Sequence, residues 1–142
     1  MVIGLIGENC VGKSTLAARI RDAIGAQTIT GRDYLRMAKS ESEARLLFRE
    51  KLASAVGGSN IIYVISEPDQ LDLLPKGAVR ILVSADLDTI KARFRARMRG
   101  FLPAPVERML EGKHGMFDHC AYDYQYDGAN GDATALCEKL TQ

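Results

Sequence analysis

The sequence has no tryptophan, four prolines and three cysteines, and aromatic residues make up only 6% of it. It also lacks long apolar runs. The strongest, at 61–65, is far short of the roughly 20 residues a membrane-crossing helix needs, so no helical span is expected. Cys10, Cys120 and Cys137 are odd in number and lack the spacing of a metal site, which excludes a disulfide framework and favours reduced thiols. No charged leader with a following apolar stretch is visible, since residues 2–6 already read as a strand, and the expected location is the cytoplasm. Low-complexity tracts, internal repeats and linkers are absent too, and the expectation is one domain over residues 1–142.

What is present is the composition of a globular protein: 46% apolar, 26% charged, and long enough for one buried core. The net charge of +1 hides an asymmetry. Between Thr89 and Lys113 seven basic residues stand against two acidic ones, a local +5, leaving −4 for the remainder. One basic stretch on a near-neutral chain suggests a small anionic ligand rather than a long nucleic acid.

Apolar runs at 1–6, 60–65 and 79–84 read as strands, with shorter candidates at 27–30 and 122–126. Leu16, Ile20 and Ile24 recur at helical spacing over 13–24, and Gly25 is a stop. Ala44, Leu47, Phe48, Leu52 and Val56 mark an amphipathic helix over 42–56, closed by Gly57 and Gly58. Asp86 is placed to cap a helix expected to reach Gly100; a further helix over 105–113 starts at Pro105, and 133–140 closes the chain. Strands alternating with helices predict right-handed crossovers and a three-layer α/β/α sandwich around a five-stranded parallel sheet.

The sharpest motif is Gly7-Glu8-Asn9-Cys10-Val11-Gly12-Lys13-Ser14, followed by Thr15, which matches the G-x-x-x-x-G-K-[ST] phosphate loop. Glycines let successive backbone N–H groups point inward as an anion-binding nest, and the following helix adds its positive end. Lys13 is expected to bridge the β- and γ-phosphates of ATP, and the Ser14 hydroxyl to enter the Mg²⁺ shell. An acid at the end of a buried strand commonly completes that shell, and Glu67 stands there after 61–66.

Around this loop the chain resembles the nucleoside monophosphate kinases, a P-loop NTPase kinase type of fold. Thr30-Gly31-Arg32-Asp33-Tyr34-Leu35-Arg36 looks like the S-T-G-D-x-L-R segment of adenylate kinases with one residue inserted. From 60 onward the layout is similar to guanylate kinase, with Tyr122-Asp123-Tyr124 resembling its terminal strand. The resemblance implies that Thr30 and Arg36 contact an acceptor monophosphate, with Arg32 or Asp33 nearby, in a helical acceptor segment at about 31–57. The D-G-[FY]-P-R segment of adenylate kinases is missing, with Glu67-Pro68 in its place, and the β-rich acceptor domain of guanylate kinases has no counterpart.

Four arginines, Arg93, Arg95, Arg97 and Arg99, lie two apart on the helix after Asp86. Arg93 and Arg97 share a face at i, i+4, and they match the E-R-L-x-x-R pattern at the lid entrance of this superfamily. The resemblance makes them catalytic, with Arg108 returning from a short lid at about 100–115. Guanidinium forks suit a transferring phosphoryl group. Asn130, in the turn at 127–132, is either a contact to the nucleotide base or part of an ordinary Asp/Gly turn.

The expected activity is γ-phosphoryl transfer from ATP, with Mg²⁺, to a nucleoside monophosphate, by a monomer or homodimer with no nucleic-acid or membrane partner. A hydroxyl acceptor of the shikimate or gluconate kinase type is the alternative, with Asp33 as the base. A nucleotide-binding regulator without turnover is the third.

Overall fold

The computed structural model describes residues 1–142. Five strands, β1 Val2–Ile6, β2 Gln27–Thr30, β3 Ile61–Ile65, β4 Val79–Ser84 and β5 Tyr124–Asp127, form one sheet in the order β2-β3-β1-β4-β5. Every neighbouring pair is parallel, as the alternation of strands and helices predicts. The helices are α1 Lys13–Ile24, α2 Glu41–Ala55, α3 Leu87–Arg97, α4 Ala104–Lys113 and α5 Ala133–Leu140. Two 3₁₀ turns, Asp33–Met37 and Pro68–Leu73, cover the ends of β2 and β3.

All residues of β1 and β3 are buried, because both faces of the central strands are covered. Alternation divides them between two cores. Ile3, Leu5, Ile62 and Val64 face α1, α3, α4 and α5 through Leu16, Ile20, Ile90, Leu110 and Leu136. Val2, Ile6, Ile61, Tyr63 and Ile65 face α2 through Ala44, Phe48 and Leu52. There the Phe48 ring stacks on Tyr34 at 5.2 Å and meets Tyr63 edge-on at 4.8 Å. The Tyr63 hydroxyl donates to Gly31 O at 2.7 Å, which ties the segment after β2 to the sheet.

Two boundaries differ from expectation by two residues or more. The helix after Asp86 ends at Arg97 rather than Gly100, because Arg99 and Gly100 adopt φ of +61° and +92°, left-handed values that stop an α-helix. The last strand starts at Tyr124, two residues late; at Asp123 the backbone N–H still donates to Arg80 O at 2.8 Å, but Arg80 N donates to the Asp123 carboxylate at 2.8 Å rather than to a strand carbonyl.

Sheet order places β1 at the point where the chain first winds to one side and then to the other. Crevices at such points, beyond the carboxyl ends of the strands, are where open α/β sheets hold ligands. The loop after β1 opens into that crevice.

Candidate functional site

The loop at 7–12 leaves β1, and Gly12, at φ +105°, starts α1. Cys10 also takes a left-handed conformation, φ +65°, while packed into the core. Lys13 is the first residue of α1 and folds back under the loop: its ammonium donates to Gly7 O and, at 2.8 Å, to Glu8 O. It is only 6% exposed. Burial pulls its pKa down to about 8, against the opposing pull of the nearby Glu8, Cys10 and Glu67.

Two hollows flank the loop. One, of about 230 Å³, is lined by Asn9, Cys10, Gly12, Lys13, Ser14 and Thr15 of the loop and α1, with Thr30, Val64, Ser66 and Arg97 opposite. The other, of about 390 Å³, shares Cys10, Gly12, Thr15 and Arg97 and adds Arg93, Ala96 and Gly128. Arg97 therefore faces both, and no hydrogen bond or ion pair engages its guanidinium. Arg93 is engaged: it donates to Cys10 O at 3.1 Å and to Gly128 O at 2.8 Å. Its fork bolts α3 to the phosphate loop and to the turn after β5. That turn lies so close to the loop that a Cβ on Gly128 would fall 1.5 Å from Val11 O.

At the end of β3, Gln70, buried at 4% exposure, accepts from Ser66 N at 3.0 Å and Glu67 N at 3.3 Å. Glu67 accepts from Lys113 Nζ at 3.1 Å. No group of three or more His, Cys, Asp or Glu side chains forms a metal cage. Ser14 lines the phosphate-loop hollow, whereas Glu67 lines neither hollow; both offer hard oxygen donors of the kind that Mg²⁺ takes.

The remaining predicted residues are scattered. Thr30 reaches the phosphate hollow. Arg32 does not; it pairs with Glu41 at 3.4 Å on the surface. Asp33 and Arg36 line a different hollow, of about 250 Å³, against the edge strand β2 with Lys51. Arg108 is exposed on α4 and lines neither phosphate-loop hollow. Asn130 is exposed, and its backbone N–H donates to Asp127 Oδ1 at 3.2 Å within the turn.

The stretch at 100–115 is mostly helix and is docked. Leu102 and Leu110 are buried, and Lys91 Nζ holds Glu107 at 3.2 Å and Glu111 at 2.8 Å. Ser66, Gln70, Gly128 and Lys113 were not singled out from sequence. Only the position of Ser66, immediately after a strand of strong β propensity, carried a local signal.

No protein-family model and no curated protein matches the sequence. Solved structures do. A sugar kinase from Janibacter sp. superposes with a TM-score of 0.65 at 18% identity, covering 98% of this chain and 91% of that one. Shikimate kinase from Acinetobacter baumannii, in complex with shikimate, gives 0.64 at 15% identity, covering 99% and 90%. The fold is that of the small P-loop kinases. The YorR protein of Bacillus subtilis, in complex with phosphorylated GDP, shares it with a TM-score of 0.63 at 20% identity, covering 99% and 94%. Within this fold the crevice beyond β1 and β3 is built from loops, and Lys13, Ser14, Thr30, Ser66, Arg93 and Arg97 line its two hollows.

Proposed function

We propose that this protein is a phosphotransferase that moves the γ-phosphoryl group of ATP, carried with Mg²⁺, to a small acceptor, a nucleoside monophosphate in the first instance. The observation that carries the reading is the buried Lys13 under a phosphate loop whose hollow is faced from the other side by Arg97 and Thr30. Such a site supplies what phosphoryl transfer needs: backbone N–H groups and cations arranged before the reaction around spreading negative charge.

In this reading the loop residues 7–15 grip the triphosphate, with Lys13 and Arg97 on the transferred group. Arg93 holds the loop and the turn at 127–131 in place. Ser14 and Glu67 hold the Mg²⁺ ion, which neutralises phosphate charge when bound. Thr30 faces the acceptor. Arg36, Arg32, Asp33 and Arg108 join only if their segments move toward the crevice on binding. A monophosphate acceptor is already anionic and needs no general base. That fits a hollow with no free carboxylate reaching it.

A hydroxyl acceptor is the second reading, favoured by similarity in fold to a sugar kinase and to shikimate kinase. It requires Asp33 to act as base, so Asp33→Asn should abolish turnover with a hydroxy acid and leave monophosphate transfer intact. The test of both is a coupled ADP-release screen with ATP and Mg²⁺ across nucleoside monophosphates and small hydroxy acids. ADP formation above the acceptor-free background with a monophosphate is the expected result. Silence across the whole panel, with ATP binding intact, would leave a nucleotide-binding regulator instead.

A further inference from the structure

Lys113 closes α4, and its pairing with Glu67 joins two side chains that are 40% and 44% exposed. Such half-exposed pairs hold little by themselves. What delivers Lys113 to this place is the chain immediately after it. His114 Nδ1 lies 3.1 Å from Glu8 Oε1, and Gly115 N donates to Glu8 Oε2 at 3.2 Å. Glu8 belongs to the phosphate loop, and its side chain is 13% exposed. Its carboxylate is engaged in docking the end of α4. Phe117, buried in the second core, anchors the next turn. The end of α4 is bolted to the phosphate loop itself, one residue beyond Lys113.

Charge balance then decides what Lys113 can do. Glu67 directly follows Ser66, which lines the phosphate hollow. An unpaired carboxylate there would repel phosphates. Without a divalent ion, Lys113 is the counter-charge of Glu67. Once the carboxylate serves a cation instead, Lys113 is released, and the phosphate oxygens become the strongest nearby attraction for its ammonium.

We propose that Lys113 is a phosphate-binding residue held in reserve by Glu67, passing from that carboxylate to the bound phosphates when Glu67 turns to a divalent cation. The proposal rests on the nucleotide-binding reading above and adds a residue and an exchange to it.

Calorimetric titration of ATP into the full chain, in Mg²⁺ and again in EDTA, tests it. Lys113→Met should weaken ATP binding about tenfold in Mg²⁺, the loss expected for one charge-assisted hydrogen bond. Lys113→Arg should restore most of the Mg²⁺-dependent affinity. Glu67→Gln should bind ATP more tightly than wild type in EDTA, and adding Lys113→Met should remove most of that gain. No loss for Lys113→Met in Mg²⁺, or a double variant that keeps the full gain in EDTA, would each overturn the exchange. Wild-type protein that binds no ATP in either condition would instead overturn the nucleotide reading, and the exchange with it.

Discussion

Lys13 gives the prediction that can be worked furthest from the structure. Its ammonium is almost fully buried, and its only hydrogen-bond partners are the carbonyls of Gly7 and Glu8. With a pKa of about 8 in the folded chain against 10.5 unfolded, the protonated form is penalised by about 3 kcal/mol. Between those values the unfolded chain binds the additional proton, so stability must rise with pH across that window. Integrating both titrations from pH 7 to about pH 9.5 gives a gain of about 2 kcal/mol. Lys13→Met keeps the apolar stem and has no proton to lose. Urea unfolding of both proteins at steps through this range isolates the effect, since every other titrating group cancels in the difference. The stability of wild type relative to Lys13→Met should climb by about 2 kcal/mol as pH rises. A flat difference would refute the assignment of a destabilised ammonium. The same reasoning has a ligand side, because phosphates should restore the charge. At pH 8, ATP binding should take up about half a proton, read by calorimetry in buffers of different ionisation enthalpy.

Substitutions at three further positions follow from the geometry. Arg93→Met leaves the carbonyls of Cys10 and Gly128 without their donor and should cost about 2 kcal/mol, lowering the melting temperature by about 5 °C; a change below about 1 °C would show the bridge to be idle. Cys10→Gly relieves a left-handed conformation but removes a side chain buried in the core, so the two effects should cancel to within about 1 kcal/mol, whereas Cys10→Val should destabilise, both read by thermal melting. Gly128→Ala forces the turn after β5 off the phosphate loop, because the new methyl would overlap Val11 O. It should cost about 2–3 kcal/mol in urea unfolding and weaken ATP binding more than tenfold, and a loss confined to a few tenths of a kcal/mol would contradict the close approach.

How much was legible in advance depended on the range of the interaction. The strands at β1, β3 and β4, the Asp86 cap, whose carboxylate accepts from Thr89 N at 2.7 Å, and the phosphate loop are all written within a few consecutive residues. Helix α5 was legible for the same reason, capped by Asp132 through Ala135 N. The arginine stripe was only half legible. Helical spacing puts Arg93 and Arg97 on one face, but it gives no sign that carbonyls from two distant loops wait under Arg93 while Arg97 is left facing the hollows. The acceptor segment was the hardest. The 3₁₀ turn at Asp33–Met37 carries Asp33 and Arg36 to the outer edge of β2, and only Thr30 of that group lines the phosphate-loop hollow.

By itself, then, the sequence determined that a strand, a glycine-bearing loop of phosphate-loop pattern and a helix follow one another in a parallel α/β sandwich. Those outcomes need only backbone conformation, capping and hydrophobic period, which act over a few residues. Tertiary structure alone decided the partners across the crevice. Glu8 docks residues separated from it by 106 and 107 positions, and Lys113 meets Glu67 across 46. Contacts of that span leave no pattern in a single chain, because nothing but the order of strands in the sheet brings their ends together.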